Sequence, residues 1–194
     1  RSLNVKLQGA ASGDNFNVSN TGGKHAVSVG LTTAINVGIN GHVGYYCAGM
    51  NQQANITIKG NAGPGLAENM MSGKVHVTGN ASQYAGATAH GGLLVIEGDA
   101  SSRCGISMKG VSIVIGGNIG HMSAFMAQSG CLVVCGDAGD ALGDSIYEAR
   151  LYVRGKVASL GTDCIEKEMR AEHVEQLEGL LQQSGMNHNV NEFR

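Results

Sequence analysis

The 194-residue chain carries 31 glycines against one proline, no tryptophan and three phenylalanines, with 42% apolar and only 14% charged residues. An ordinary compact core draws on more aromatics and fewer glycines, so a conventional globular packing is disfavoured. A net charge of −2 with no Lys/Arg-rich block excludes nucleic acid as a partner, and no apolar run approaches membrane-spanning length.

In chain order, residues 1–36 read as an irregular N-terminal cap. Val5-x-Leu7-x-Gly9 and Val27-x-Val29 have the alternation of strands there, but lack the regular spacing found later in the chain. From residue 37 a motif apolar-x-apolar-x-Gly recurs, ending at Gly41, Gly60, Gly79, Gly98, Gly117, Gly136 and Gly155, 19 residues apart each time. The next position is His42, Asn61, Asn80, Asp99, Asn118, Asp137 and Lys156, and the one after it is always apolar. Seven places beyond each of the first six glycines the column Ala48, Ala67, Gly86, Gly105, Ala124 and Gly143 holds only tiny residues.

A 19-residue unit is too short for paired helices, and its core alternates with the period of a strand. The repeat therefore predicts an all-β fold: a single-stranded right-handed parallel β-helix of about seven coils over residues 37–160. Stacked coils lie about 4.8 Å apart, which crowds interior columns and favours small residues. The glycine column is expected to supply turns with positive φ, and the Asn/Asp column a side-chain ladder serving turn amides. Calcium binding by that ladder is disfavoured, because only every second coil brings a carboxylate.

Residues 161–185 are expected to form a C-terminal helix. Ile165, Met169, Val174, Leu177, Leu180 and Leu181 recur at helical spacing, Thr162 or Asp163 offers a cap, and Gly185 marks the end. The tail, 186–194, reads as disordered or held by a partner. With Val, Ile and Leu of each strand turned inward, the intervening Val95, Val114 and Val133 stack on the outside. An exposed valine stripe is poor surface for a lone monomer, so either the helix or a partner chain should cover it.

Chemistry is sparse. Five cysteines without C-x-x-C spacing argue for reduced thiols and against both a disulfide framework and a zinc site. His42, His76, His90 and His121 fall in four different columns. Ser101, Ser102, Arg103 and His121 lack a nucleophile elbow, and the loop Gly60–Gly65 lacks the Lys-Ser/Thr of a phosphate loop. Catalytic, cofactor and metal residues are accordingly expected to be absent from this chain. With no charged-then-apolar leader in the sequence, a soluble, cytoplasmic protein is expected.

The runs Gly60-Asn-Ala-Gly-Pro-Gly65, Gly79-Asn-Ala-Ser82, Tyr84-Ala-Gly86 and Ala89-His-Gly-Gly92 resemble the GXGXG repeat domain that closes the large subunit of glutamate synthase. Ser102–Gly110, Gly120–Gln128 and Gly143–Arg150 are similar to the free-standing form of that domain, the small subunit of N-methylglutamate synthase (methylamine–glutamate N-methyltransferase). A subunit of formylmethanofuran dehydrogenase carries a similar domain. The resemblance spans about residues 25–185. It implies a non-catalytic scaffold in a hetero-oligomer, beside a glutaminase-like subunit and a synthase subunit that holds FMN and an iron–sulfur cluster. This sequence shows no N-terminal cysteine nucleophile and no cysteine cluster. A reading of another class, a stand-alone polysaccharide-binding β-helix, wants aromatic platforms and paired carboxylates that the repeats do not offer.

Overall fold

The apolar-x-apolar-x-Gly segments form strands because their β-branched residues suit a pleated surface and their alternation gives one buried face. In the computed structural model, which describes residues 2–194, eight strands build one sheet in sequence order. They are β1 (Asn15–Ser19), β2 (Asn36–Asn40), β3 (Asn55–Lys59), β4 (Lys74–Val77), β5 (Leu93–Ile96), β6 (Lys109–Ile115), β7 (Ser129–Val134) and β8 (Arg150–Val153). Every neighbouring pair is parallel, and identical repeat positions meet: Ile56 faces Val75, Val75 faces Leu94, and Ile58 faces Val77. A parallel sheet whose strands follow the chain one by one is a solenoid, here with a coil between each pair of strands. The inward residues Ile56, Ile58, Leu94, Ile96, Ile113 and Leu132 are fully buried, each contributing roughly 1.5–3 kcal/mol. On the far side of each glycine turn, Val43, Ala62, Ala81, Ala100, Ile119, Ala138 and Val157 form a second column of one-residue parallel bridges.

The return path of each coil is not β. At three alternate positions per coil the backbone is left-handed, as at Tyr46, Ala48 and Met50, with φ between 52° and 69° in every coil from Ala26 to Ser145. The middle residue donates its N–H to the preceding coil (Ala67 N to Cys47 O, 2.9 Å), and the outer two donate to the following one (Tyr46 N to Pro64 O, 2.9 Å; Met50 N to Glu68 O, 2.8 Å). A left-handed residue other than glycine costs about 1–2 kcal/mol, offset here because each one places an amide against a neighbouring carbonyl. The middle position is also sealed in the core, which is why the tiny column holds only alanine and glycine.

The chain before residue 37 departs from the expected cap. Val5 and Leu7 lie in a helix, α1 (Ser2–Gln8), not in a strand. Leu3 and Leu7, a helical turn apart, pack on the open end of the core, and Val5 faces solvent. Val27 and Val29 are likewise not a strand; they alternate with left-handed Ala26, Ser28 and Gly30. Residues 14–34 thus make a full coil, with β1 pairing β2 at an offset of 21 (Phe16 with Val37). The extra residues break the 19-residue spacing by which the other coils are recognised.

Beyond β8, residues 161–170 cross the end of the solenoid and lead into α2 (Ala171–Ser184). That helix starts later than Thr162 or Asp163. His173 Nδ1 accepts the Arg170 N–H at 3.2 Å, and left-handed Gly185 closes the last turn. The tail is ordered onto the body: Val190–Glu192 form a short 3-10 helix and Phe193 is buried. Among the described residues no helix is long and apolar enough to cross a membrane.

Candidate functional site

Stacking turns the glycine column into one edge of the molecule. Of its seven members only Gly41 and Gly60 have positive φ. The expected turn conformation therefore does not explain the other five, and close approach does. A Cβ on Gly136 would sit 2.6 Å from the Gly117 carbonyl oxygen of the coil before it. The neighbouring ladder is continuous: the side-chain oxygens of Asn61, Asn80, Asp99, Asn118 and Asp137 each accept the backbone N–H of the equivalent residue one coil on, at 2.7–2.9 Å. Both columns hold the coils in register. Nothing in them converges on a ligand.

Val95, Val114 and Val133 do stack in register, but they form no open interface. All three are fully buried. Leu177, Leu180 and Leu181 of α2, with Phe193 of the tail, cluster on Val114, Val133, Cys131, Cys135 and Tyr152. The apolar stripe of the helix matches the apolar stripe of the sheet, and that match selects intramolecular burial over a partner. Polar contacts fix the helix at both ends. Gln176 Oε1 accepts from Tyr152 Oη (2.7 Å) and from an Arg150 guanidinium nitrogen (3.0 Å), and Lys74 Nζ donates to the Gln183 carbonyl (2.9 Å).

The tail is not legible in sequence as a docked element, although the outward Arg150 and Tyr152 of β8 and Arg154 just after it signal a need for polar partners. Arg154 Nε bonds Glu192 at 2.6 Å. Arg194 then pairs with Val153 through both backbone groups, N to O and O to N, at 3.1 Å each, the pattern of an antiparallel neighbour. Next to this pair lies a cavity of about 670 Å³. Its apolar floor includes Ile146, Leu151, Val157 and Leu160, and Arg150, Lys167, Arg170 and Glu172 stand at its rim.

The remaining reactive groups stay apart. Burial pushes the Cys47 and Cys104 thiols up to about 12 and the Cys135 thiol up to about 11, the last despite nearby Arg154. Cys47 and Cys104 sit in the solenoid core and Cys131 and Cys135 under α2. Among the described residues no three His, Cys, Asp or Glu side chains gather where a metal would sit. Ser102 Oγ meets His121 Nδ1 at 2.9 Å across one coil step. The next residue in that column, Asp140, accepts from Ser159 Oγ at 3.2 Å, and among the described residues no carboxylate bonds His121. His76 is held by Glu97 at 2.8 Å on the outer face.

No protein-family model matches the chain, and no solved structure matches it. A curated relative does: protein GlxC of Rhizobium meliloti (strain 1021) is 63% identical over 187 residues, covering 95% of this chain and 82% of that protein. At that identity over nearly the whole of its length, the chain belongs to the GlxC family.

Proposed function

We propose that this chain is the non-catalytic β-helix scaffold subunit of a glutamate-synthase-like complex, N-methylglutamate synthase in particular, which converts methylamine and glutamate to N-methylglutamate and ammonia. One observation carries the reading: a solenoid of seven 19-residue repeats in a GlxC-family chain, whose glycine-rich runs resemble the GXGXG repeats of glutamate synthase. The scaffold role is supported by where the polar groups go. Ladder oxygens, turn amides, Arg150 and Arg154 are spent on holding coils, helix and tail together. FMN and an iron–sulfur cluster belong, on this reading, to a synthase subunit, and a glutaminase-like subunit completes a cytoplasmic hetero-oligomer.

Purification of the tagged chain from its native cell tests this. The expected result is co-purification of a flavin-containing synthase chain and a glutaminase-like chain, in material that forms N-methylglutamate from methylamine and glutamate. The isolated chain should be colourless and inactive. Turnover with ammonia but not methylamine would move the assignment to a glutamate synthase GXGXG subunit, and a flavin spectrum in the refolded chain alone would overturn the scaffold role.

A further inference from the structure

Another side of the solenoid also carries apolar groups. The return paths contain a turn closed by an N–H to C=O bond from the eighth residue after the repeat glycine to the fifth, as from Phe125 to Met122 (3.3 Å) and from Ile106 to Arg103 (3.2 Å). Side chains at the two ends of this turn meet outside the coil: the Tyr46 ring lies over Gly49, and the Glu68 carboxylate lies over Gly65. Stacking therefore builds two adjacent outward columns, with about 4.8 Å between successive members.

In the later coils these columns read Arg103 and Ile106, then Met122 and Phe125, then Ala141 and Asp144, and Met126 borders Phe125. Ile106, Met122 and Phe125 are half-buried and Met126 is 42% exposed, yet none of the four belongs to the solenoid core or to the cluster under α2. The other two phenylalanines, Phe16 and Phe193, both pack into those clusters. Apolar side chains that join no core, with phenylalanine and methionine among them, have the composition of an interface centre. The charges beside them are unspent as well. Among the described residues the Arg103 guanidinium has no hydrogen-bond or ion-pair partner, and the Asp144 carboxylate accepts only from Ser145 Oγ (2.9 Å).

We propose that this face pairs two copies of the chain in an isologous dimer, about a two-fold axis that passes through the Phe125 coil normal to the face. The placement of charge selects a second copy. Arg103 stands one coil before Phe125 in one column, and Asp144 stands one coil after it in the other. The two-fold exchanges the columns and reverses the coil order, so Arg103 of each copy meets Asp144 of the other, and Met122 of each meets Phe125 of the other. A closed contact of this kind uses every group twice. Asp140, one place outside Ala141, falls opposite Ser107, so no like charges meet. Only this axis joins the two charges. Moved back by one coil, it would set Arg103 against Ile106 and bury an unpaired cation. A membrane surface is disfavoured, since the face carries the carboxylates of Asp140 and Asp144 against one guanidinium. Three coils of contact fall short of the roughly 800 Å² per partner of a standard interface, so the dimer should dissociate in the micromolar range. It leaves α2 and both ends of the solenoid free, and it does not depend on the scaffold reading.

The test uses the complete gene product, followed by sedimentation equilibrium across the micromolar range. The parent should show a monomer–dimer equilibrium. Phe125→Gln should raise the dimer dissociation constant about ten-fold or more, with an unchanged melting temperature at concentrations where the parent is monomeric. Arg103→Glu and Asp144→Arg should each weaken the dimer to a similar degree, and the two substitutions in one chain should recover most of the parent's affinity. Mixing the two single variants should restore association too, because a two-fold contact between one of each forms two opposite-charge pairs. Should Asp144→Arg lower the melting temperature, the results for Phe125→Gln and Arg103→Glu decide. A gene product that stays monomeric throughout that range overturns the proposal, as does a dimer that Phe125→Gln or Arg103→Glu leaves intact. Well-folded single variants that fail to associate when mixed overturn it as well.

Discussion

At the scale of single residues, the glycines divide by cause, and substitution separates the causes. Gly136→Ala forces a methyl group against the Gly117 carbonyl at a distance no real Cβ adopts. Because the obstacle is backbone, it should cost about 1–3 kcal/mol, read by chemical denaturation. Gly179 in α2 has nothing within 4 Å of its would-be Cβ, and Gly179→Ala should raise stability by up to about 1 kcal/mol. Gly105, left-handed at φ +68°, stands in the column where Ala48, Ala67 and Ala124 adopt the same conformation. Gly105→Ala should therefore be mild, and Gly105→Leu should lose more than about 3 kcal/mol to overpacking. The thiols give a check on burial itself. Brief alkylation of native protein at pH 8, followed by mass spectrometry, should label Cys164 first. Cys47 and Cys104, enclosed and with thiols pushed up to about 12, should react only after unfolding.

At the scale of elements, the pairing of α2 with the valine stripe makes the helix part of the fold. Val114→Asp should destabilise the isolated chain by at least about 3 kcal/mol, since it places an unpaired carboxylate under Leu177 and Leu181. Removing residues 164–194 should leave Val114, Val133 and Tyr152 uncovered and cause concentration-dependent aggregation. An unchanged melting curve for Val114→Asp would mean that the helix does not sit on the stripe in solution. The coils are legible in sequence because each column is set by contact with its own copies one step away, so Gly79 and Asn80 repeat in kind. The first coil is not, because its 20–21 residues shift Phe16 and Val27 out of those columns. Nor are the left-handed outer positions, since Tyr46, Met50 and Arg103 are at least partly exposed and their identity is unconstrained by the backbone they adopt. The destination of α2 stays open between two covers at that level, because an amphipathic helix records that it is buried and not by what. The tail carries still less, as Phe193 and Arg194 dock through one ring, two backbone bonds and one guanidinium bond to the Gly155 carbonyl, and carbonyls and backbone amides are the same at every residue.

For the whole molecule, eight strands stacked in chain order mean that each coil depends on its two neighbours and on nothing farther away, apart from the strap of α2 across the later strands. Stability in such an array accumulates step by step, and a repeat can be lost without rewriting the rest. Excision of residues 42–60 joins Gly41 directly to Asn61, keeping the glycine–asparagine junction and leaving α1, the first coil and the α2 face untouched. That 175-residue protein should fold with the same circular dichroism and a modestly lower melting temperature, whereas removing 18 or 20 residues at the same place should not. In the shortened form the two ends of the molecule come closer by one strand spacing, about 4.8 Å, with no change in what either end presents. Excising further whole repeats from the same stretch would extend the series. The solenoid then acts as a ruler graduated in whole coils, and subunits that grip its two ends would have their separation set by a count of repeats.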